Sequence, residues 1–473
     1  MSLKSIAFAF CPSLWNRLWH VLSDSRQGVK DVIVSAIPQL VGVVTGFFGS
    51  VLIARGLGPT GMGQYALIMS LAGVATVLSD LGIGQTSIRY ASRAAAIEDI
   101  STQMSVLRWS LRWRLSLVFL ITTLFFLIAP YIARMWHSEA LIPYLRLGLL
   151  GGIFAALASV PTIYYQSIKR FATNASVTSA QRIISFAGIL ALSVFSLWSL
   201  LNLVIVNLVA SAIGAFAFLV LVPKAALWPQ DVMRTLKGLS LRRIFASPDI
   251  RHGINNGLDA SSPAGFLRFQ MLSTIIVMAT MQTDVWMMGY FLDESKIGVY
   301  SVAARFTLPL AIALGALNTA LWPRASGITC PQHLMRLLKK TLGISVLAAL
   351  TMSVYSVFAP ILAPVIFGVE YEKSCLLGQL LCLRYCLATL ICPIGVIGYS
   401  YGFVRVYWLI NLIQLFSVLV INMMFLPKIG ALASTIALII NEIIGVVCIG
   451  WLVLWRITRD RMRTQKGNSY EYD

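Results

Sequence analysis

The stretch RGLGPTGMGQY, Arg55 to Tyr65, sets four glycines and a proline in an otherwise apolar chain. Glycine this dense suits either a backbone cradle for a phosphate or a turn between two helices. The pattern returns half a chain later. In LGPTGMGQY (Leu57–Tyr65) and LDESKIGVY (Leu292–Tyr300), Leu, Gly and Tyr recur at equal spacing, 235 residues apart. The second copy lacks counterparts of Gly58, Pro59 and Gly61 and keeps only Gly298, the equivalent of Gly63. The Lys-Ser/Thr pair of a P-loop is missing too. The stretch therefore reads as a structural turn inside an internal duplication, its glycines supplying positive φ.

What the turn joins follows from composition. The chain is 473 residues long, 58% hydrophobic and 12% charged, with a mean hydropathy of +0.81. A soluble multidomain protein of that length would carry far more charge. Apolar runs recur from about Val32 to Leu454, each near the ~20 residues that cross a bilayer core as helix. In lipid the backbone must satisfy its own hydrogen bonds, and these runs lack the short alternation of barrel strands. The expected fold is an all-α integral membrane protein with twelve transmembrane helices, near 31–54, 63–82, 114–136, 141–167, 176–198, 200–223, 264–291, 298–322, 340–367, 375–400, 406–427 and 430–455.

Charge orients them. Most of the 37 Lys and Arg fall at the N-terminus, after the even-numbered spans and at the C-terminus. The other side holds only Arg55, Arg134, Lys296, Lys373 and Lys428. By the positive-inside rule both termini are cytoplasmic, and the Arg55–Tyr65 turn faces out. The net charge of +19 is then mostly topology, and nucleic-acid binding is excluded as its explanation.

The duplication fixes the architecture. At the offset of 235, Arg89 maps onto Arg324, Tyr164 onto Tyr399 and Arg170 onto Arg405. Each half has an even number of spans, so both enter the membrane from the same side. Two parallel six-helix bundles related by a pseudo-two-fold axis along the membrane normal are expected, flanking a central cavity. The organisation reads as a cytoplasmic N-terminus, 1–30, with an interfacial piece at Leu14–Leu22; an N-terminal bundle, 31–223; a cytoplasmic linker, 224–262; a C-terminal bundle, 263–455; and a tail, 456–473. The seven cysteines form no CxxC pair, and Cys382 and Cys386 share a helix face as packing. His20, His137, His252 and His333 lie outside the span centres, so no metal site and no cofactor are expected.

At this point a family resemblance emerges. The hairpin LIARGLGPTGMGQYALIMSLAGVATVLSDLGIGQTSIRYASR resembles the first hairpin of bacterial oligosaccharide flippases. QTDVWMMGYFLDESKIGVYSVAARFTLPLAIALGALNTALWPRASG looks like their span 7–8 hairpin, and FGVEY, Phe367 to Tyr371, like the turn before their span 10. The resemblance implies the MOP exporter superfamily, which also holds multidrug exporters and lipid II flippases. In the O-antigen-type branch it implies an undecaprenyl-diphosphate-linked glycan as cargo, moved across the inner membrane during polysaccharide and lipopolysaccharide biosynthesis. It implies membrane lipids, a polysaccharide polymerase and a chain-length regulator as partners, and no nucleic acid. Cation exporters of the superfamily carry an acid in span 1. Here that span has none beyond Asp31 at its edge. Lipid II flippases usually carry two further spans. Export of lipid II or a drug, and a membrane polysaccharide polymerase, remain as alternatives. The polymerase would need a large outer loop, and no expected outer loop is long.

The residues agree on the sign of the cargo. Setting aside residues within three positions of a span end, five arginines, Arg146, Arg182, Arg268, Arg305 and Arg384, lie inside spans against two acids, Asp284 and Glu442. A charge at the bilayer centre costs at least ~2.5 kcal/mol and normally faces a wet cavity or a partner. Guanidinium forks suit phosphate oxygens. All five are candidate substrate-binding residues, and Arg182 and Arg268 lie near enough to the cytoplasmic edge to snorkel instead. Asp284 is the candidate ion-coupling residue, expected to pair with Arg305 across the span 7–8 hairpin. No catalytic residue is expected, and the protein reads as a transporter rather than an enzyme. Pro309 and Pro393 mark expected hinges.

Overall fold

A computed structural model describes residues 12–168, 170–221, 263–326, 331–400 and 404–468. The linker 224–262 and the last five residues of the tail lie outside the described residues, as do the side chains of the Leu14–Leu22 piece, Arg89, Arg268, Arg324, Tyr399 and Arg405. Everything described is helix or short connection. The helices are α1 (Pro12–Asp80), α2 (Ile83–Ala96), α3 (Ile100–Met135), α4 (Ile142–Ser167), α5 (Phe171–Val194), α6 (Leu200–Leu221), α7 (Pro263–Phe291), α8 (Glu294–Arg305), α9 (Leu308–Ser326), α10 (Pro331–Phe358), α11 (Ala363–Phe367), α12 (Ser374–Ser400), α13 (Val404–Ile429) and α14 (Ala431–Asn468).

Nine segments of the described residues are long and apolar enough to cross a membrane, and ten if α8 and α9 form one bent span. One of them, Ile37–Asp80, runs 44 residues, which is about twice a single crossing at 1.5 Å per residue. Gly58 breaks it, with φ 66° and ψ −177°. That conformation is open to glycine and strained for any side chain. Pro59 follows as the first residue of the next helix, where its missing N–H costs nothing. The expected glycine-rich turn is thus a one-residue break. Of its four glycines only Gly58 takes positive φ.

Two further spans are broken where apolarity gave no sign. α8 and α9 meet at 46°. Pro309 is the second residue of α9, so the break precedes it and its ring has no preceding turn to disrupt. The expected span 340–367 is interrupted by a 3-10 turn, Ala359–Leu362. Pro393, the other expected hinge, sits inside unbroken α12.

The packing partners recur along the chain. α3 packs on α4, α4 on α6, α6 on α5 and α5 on α1. In the second half α10 packs on α12, α12 on α14, α14 on α13 and α13 on α7. The halves join chiefly where α1 crosses α8. Both large apolar cores straddle that joint. One gathers Leu67, Leu71 and Leu145 with Met288, Ile297 and Leu377. The other gathers Met62, Tyr65 and Leu203 with Val302, Phe306 and Phe367. Around them runs a belt of exposed apolar side chains, Phe119, Leu127, Phe416 and Met423 among them, each about 70% exposed. Apolar area on that scale is covered by lipid in a multi-pass membrane protein.

Candidate functional site

The site lies on either side of the α1–α8 crossing. At the end of the bundle that carries Gly58, called here the turn end, the halves are sealed. The backbones touch at Gly63 and Gly298. Below, the charged residues are set among packed helices.

The seal is made of hydrogen bonds. Gln64 Nε2 donates to Glu294 Oε2 at 2.7 Å, and Ser138 Oγ donates to Glu294 Oε1. Arg55 donates from Nε to the Ile366 carbonyl at 2.8 Å and from a terminal nitrogen to the Val365 carbonyl at 2.7 Å. A cation there meets the negative end of α11. Tyr371 Oη donates to the Ala54 carbonyl at 3.1 Å. Deeper in, Trp286 Nε1 donates to Ser70 Oγ at 3.0 Å. Each of these bonds joins the two halves, and all but the last lie at the turn end.

Beneath the seal the charges take different partners from those expected. Asp284 is buried on α7. It accepts from Tyr300 Oη and, at 2.8 Å, from the Val285 amide. The cation whose field reaches Asp284 and Tyr300 is Arg384 on α12. Arg384 Nε in turn donates to Glu442 Oε1 at 2.9 Å, their side chains 13% and 23% exposed. Glu442 also borders a cavity of about 220 Å³ with Asn318, Gln414 and Cys392. The expected Asp284–Arg305 pair is not formed. Arg305 lies five positions after Tyr300, which turns the helix by about 140° at 3.6 residues per turn. Tyr300 therefore faces α7, and Arg305 faces Tyr65 on α1.

Arg305 closes α8 as its last residue. Its Nε is buried without a hydrogen-bond partner. Tyr65, its neighbour, is buried and accepts from the Asn207 amide at 3.2 Å. Asn207 in turn accepts from Ser185 at 3.4 Å. Arg305 thus carries a charge into the joint between the halves with no ion-pair partner among the described residues.

The other candidates stand apart. Arg146 is half-buried, its guanidinium 4.6 Å from the centre of the Phe126 ring. Arg182 is exposed on α5 and packs against Gly42 of α1, where the missing Cβ leaves room for it. Arg268 lies on α7 with its side chain outside the described residues. The structure therefore brings Arg384, Asp284 and Glu442 together, and sets Arg305, Arg146 and Arg182 elsewhere.

Several participants escaped the sequence reading. Tyr65 and Tyr300 were visible as repeat landmarks, and only the fold shows that one faces Arg305 and the other holds Asp284. Glu294 lay in the second copy of the turn. Asp80 pairs with Arg114 and also accepts from the Gly84 amide at 3.0 Å. The expected spans had set that pair at the two ends of one loop, Asp80 near the end of 63–82 and Arg114 at the start of 114–136. Cys382 and Cys386 are buried in the core as free thiols, as packing requires. No group of three or more potential metal ligands gathers among the described residues.

The fold defines a class. Over 91% of its length the chain is similar to 98% of a multidrug-resistance MATE transporter of the MOP superfamily in its inward-facing conformation, at 13% identity and a TM-score of 0.66. It is similar to the lipid II flippase MurJ in an inward closed conformation, at 15% identity and a TM-score of 0.64 over 89% of this chain and 87% of that one. A MOP superfamily transporter from Pyrococcus furiosus, for which a reversed polarity of the binding pocket is reported, aligns at 12% identity and a TM-score of 0.57, covering 91% and 96% of the two chains. The chain has the MOP fold. Its sequence places it further: the model of the polysaccharide biosynthesis protein family matches residues 29–329, and the chain belongs to that family. A search of curated proteins finds no match.

Proposed function

We propose that the protein is a flippase that carries an undecaprenyl-diphosphate-linked oligosaccharide unit, of the O-antigen type, across the bacterial inner membrane by alternating access. The observation that carries this reading is Arg305. A guanidinium at the joint between two halves, its Nε buried without an acceptor and the neutral Tyr65 beside it, with no ion-pair partner among the described residues, is receptive to an anion. A diphosphate offers the oxygens a planar guanidinium fits. Family membership supplies the polysaccharide context.

The topology that goes with it has twelve crossings. Segment Ile37–Asp80 counts as two, broken at Gly58; the bent pair α8–α9 counts as one; and α7 counts as one. The crossings form two parallel six-helix bundles about a central cavity, with both termini cytoplasmic and the turn end periplasmic. The seal then closes the periplasmic side. A polysaccharide polymerase and a chain-length regulator would act on the delivered unit.

Deleting the gene and locating the lipid-linked sugars tests this. A flippase leaves units stranded on the cytoplasmic leaflet. Translocated units that fail only to polymerise would reassign the protein as the polymerase. Cysteines at Thr60 and Ser295 should react with an impermeant maleimide from outside and one at Ser240 should not.

A further inference from the structure

A cavity of about 610 Å³ opens at the turn end, next to the seal. That volume lies in the range of small-molecule sites, which favour the boundary between two structural units. This one is built from both halves. Gln64, His137 and Ser138 come from the first; Tyr290, Phe291 and Glu294 come from the second.

Its chemistry is specific. Tyr290 is 46% exposed, a large ring left open at the mouth of a pocket. The His137 ring lies beside it, 6.2 Å between centres and tilted 33°. His137 occupies φ 53°, with its amide on the Arg134 carbonyl and the Ser138 amide on the Ala133 carbonyl. This is the helix-ending position that normally selects glycine. A non-glycine residue held there is a strained placement of the kind that clusters at functional sites. Glu294 presents a carboxylate fixed from both sides by Gln64 and Ser138. Two more carboxylates stand at the rim, Glu139 and Asp293, each 3.1 Å from a cation, Arg134 and Lys296 respectively. Both rim pairs are exposed and so bind weakly.

Flat ring faces beside a fixed carboxylate, an amide and hydroxyls complement a pyranose. Its C–H face lies on the ring, and its vicinal hydroxyls donate to carboxylate lone pairs. Three acids against two cations disfavour an anion. We propose that this cavity is a sugar-binding site for a neutral hexose or N-acetylhexosamine, and that an occupied site holds the two halves closed. A ligand that bridges both halves binds only the sealed arrangement, and stabilises it by its differential affinity. With the orientation proposed above, the site faces the periplasm and acts as a product-side brake on the transporter.

Purified full-length protein in nanodiscs is titrated with methyl glucoside, N-acetylglucosamine and glucuronate, followed by saturation-transfer NMR. At least one neutral sugar should saturate with a Kd below ~10 mM, and glucuronate should bind at least about tenfold more weakly, as like-charge juxtaposition requires. Tyr290→Phe keeps the ring and should keep binding, whereas Tyr290→Ala should lose it. The neutral sugar should also slow maleimide labelling of a cysteine placed at Met62, which is fully buried at the seal. No saturable neutral-sugar signal, equal binding of glucuronate, or full binding by Tyr290→Ala would each overturn the site. Unchanged labelling at position 62 would overturn the brake. These readouts use no transport, so their failure leaves the flippase reading intact. A failed translocation assay, conversely, leaves the site.

Discussion

Gly63 and Gly298 face each other across the joint between the halves. A Cβ added to Gly63 would meet the Gly298 amide nitrogen at 3.0 Å and the Glu294 carbonyl closer still. A Cβ added to Gly298 would meet the Gly63 nitrogen at 3.1 Å, with the Pro59 carbonyl closer still. The contact is reciprocal, and each residue of it sits 235 positions from its counterpart. Of the glycines in the first turn, Gly63 is the one the second copy retains. Close backbone approach at small residues is how membrane helices gain packing without a hydrophobic drive.

Gly63→Ala and Gly298→Ala should therefore each force the backbones apart, because the obstructing atoms are main chain. Overpacking of this kind costs about 1–3 kcal/mol. The expected result is a lower melting temperature and faster labelling of a cysteine at Met62. Gly73→Ala is the control, since nothing lies within 4 Å of its added Cβ. Equal behaviour of all three variants would remove the crossing as the point of closest approach.

Arg305 and Arg384 should part company under mutation. Arg384→Ala strips Glu442 of its partner inside the membrane, and breaking a largely buried pair costs on the order of 3 kcal/mol. That variant should accumulate poorly, and Glu442→Gln should restore it. Arg305→Ala abandons no carboxylate, so it should accumulate normally and still fail to support surface polysaccharide. Immunoblots of membranes alongside a complementation assay decide this. Full complementation by Arg305→Ala at normal abundance would refute the anion-receptive joint.

The turn-end seal should open when its bonds go. Arg55→Ala removes two hydrogen bonds to the end of α11, and Tyr371→Phe removes one to Ala54. Neither change creates a cavity in the core. Impermeant labelling at position 62 should rise in each variant and rise further in the double variant. An unchanged rate in the double variant would place the closure in the apolar packing alone.

The membrane fold was legible because lipid imposes length and apolarity on every crossing. Its breaks were not. Gly58 changes one dihedral pair, and the bend after Arg305 and the interruption at Ala359–Leu362 leave hydropathy almost untouched. The repeat identified Gly63 and Gly298 as equivalents, but not that they touch. Charge counting found Asp284, Arg305, Arg384 and Glu442. Depth along a helix follows from residue number, so Asp284 and Arg305 were set at one level. Which way each side chain points depends on how α8 is rotated against α7 and α1. That is decided by packing between distant segments, and no local pattern carries it.

Asp284 is where that rotation matters most. Its carboxylate is buried and held by Tyr300 and the Val285 amide. Its nearby cation, Arg384, is already engaged by Glu442. An acid in this position is costly to keep in a membrane helix, and such residues mark ion or proton pathways. As the candidate ion-coupling residue, it would take up a proton or cation as the halves separate. Asp284→Asn tests the idea with the shape retained, since the amide oxygen still accepts from one of the two donors. The variant should fold and reach the membrane. In proteoliposomes, its transport of lipid-linked glycan should no longer accelerate when a proton or sodium gradient is imposed, while the parent protein responds. Tyr300→Phe should weaken the response without abolishing it, because Tyr300 orients the carboxylate and does not replace it. An Asp284→Asn protein that answers the gradient as strongly as the parent would leave Asp284 a structural hydrogen-bond acceptor for Tyr300 and put the coupling group elsewhere.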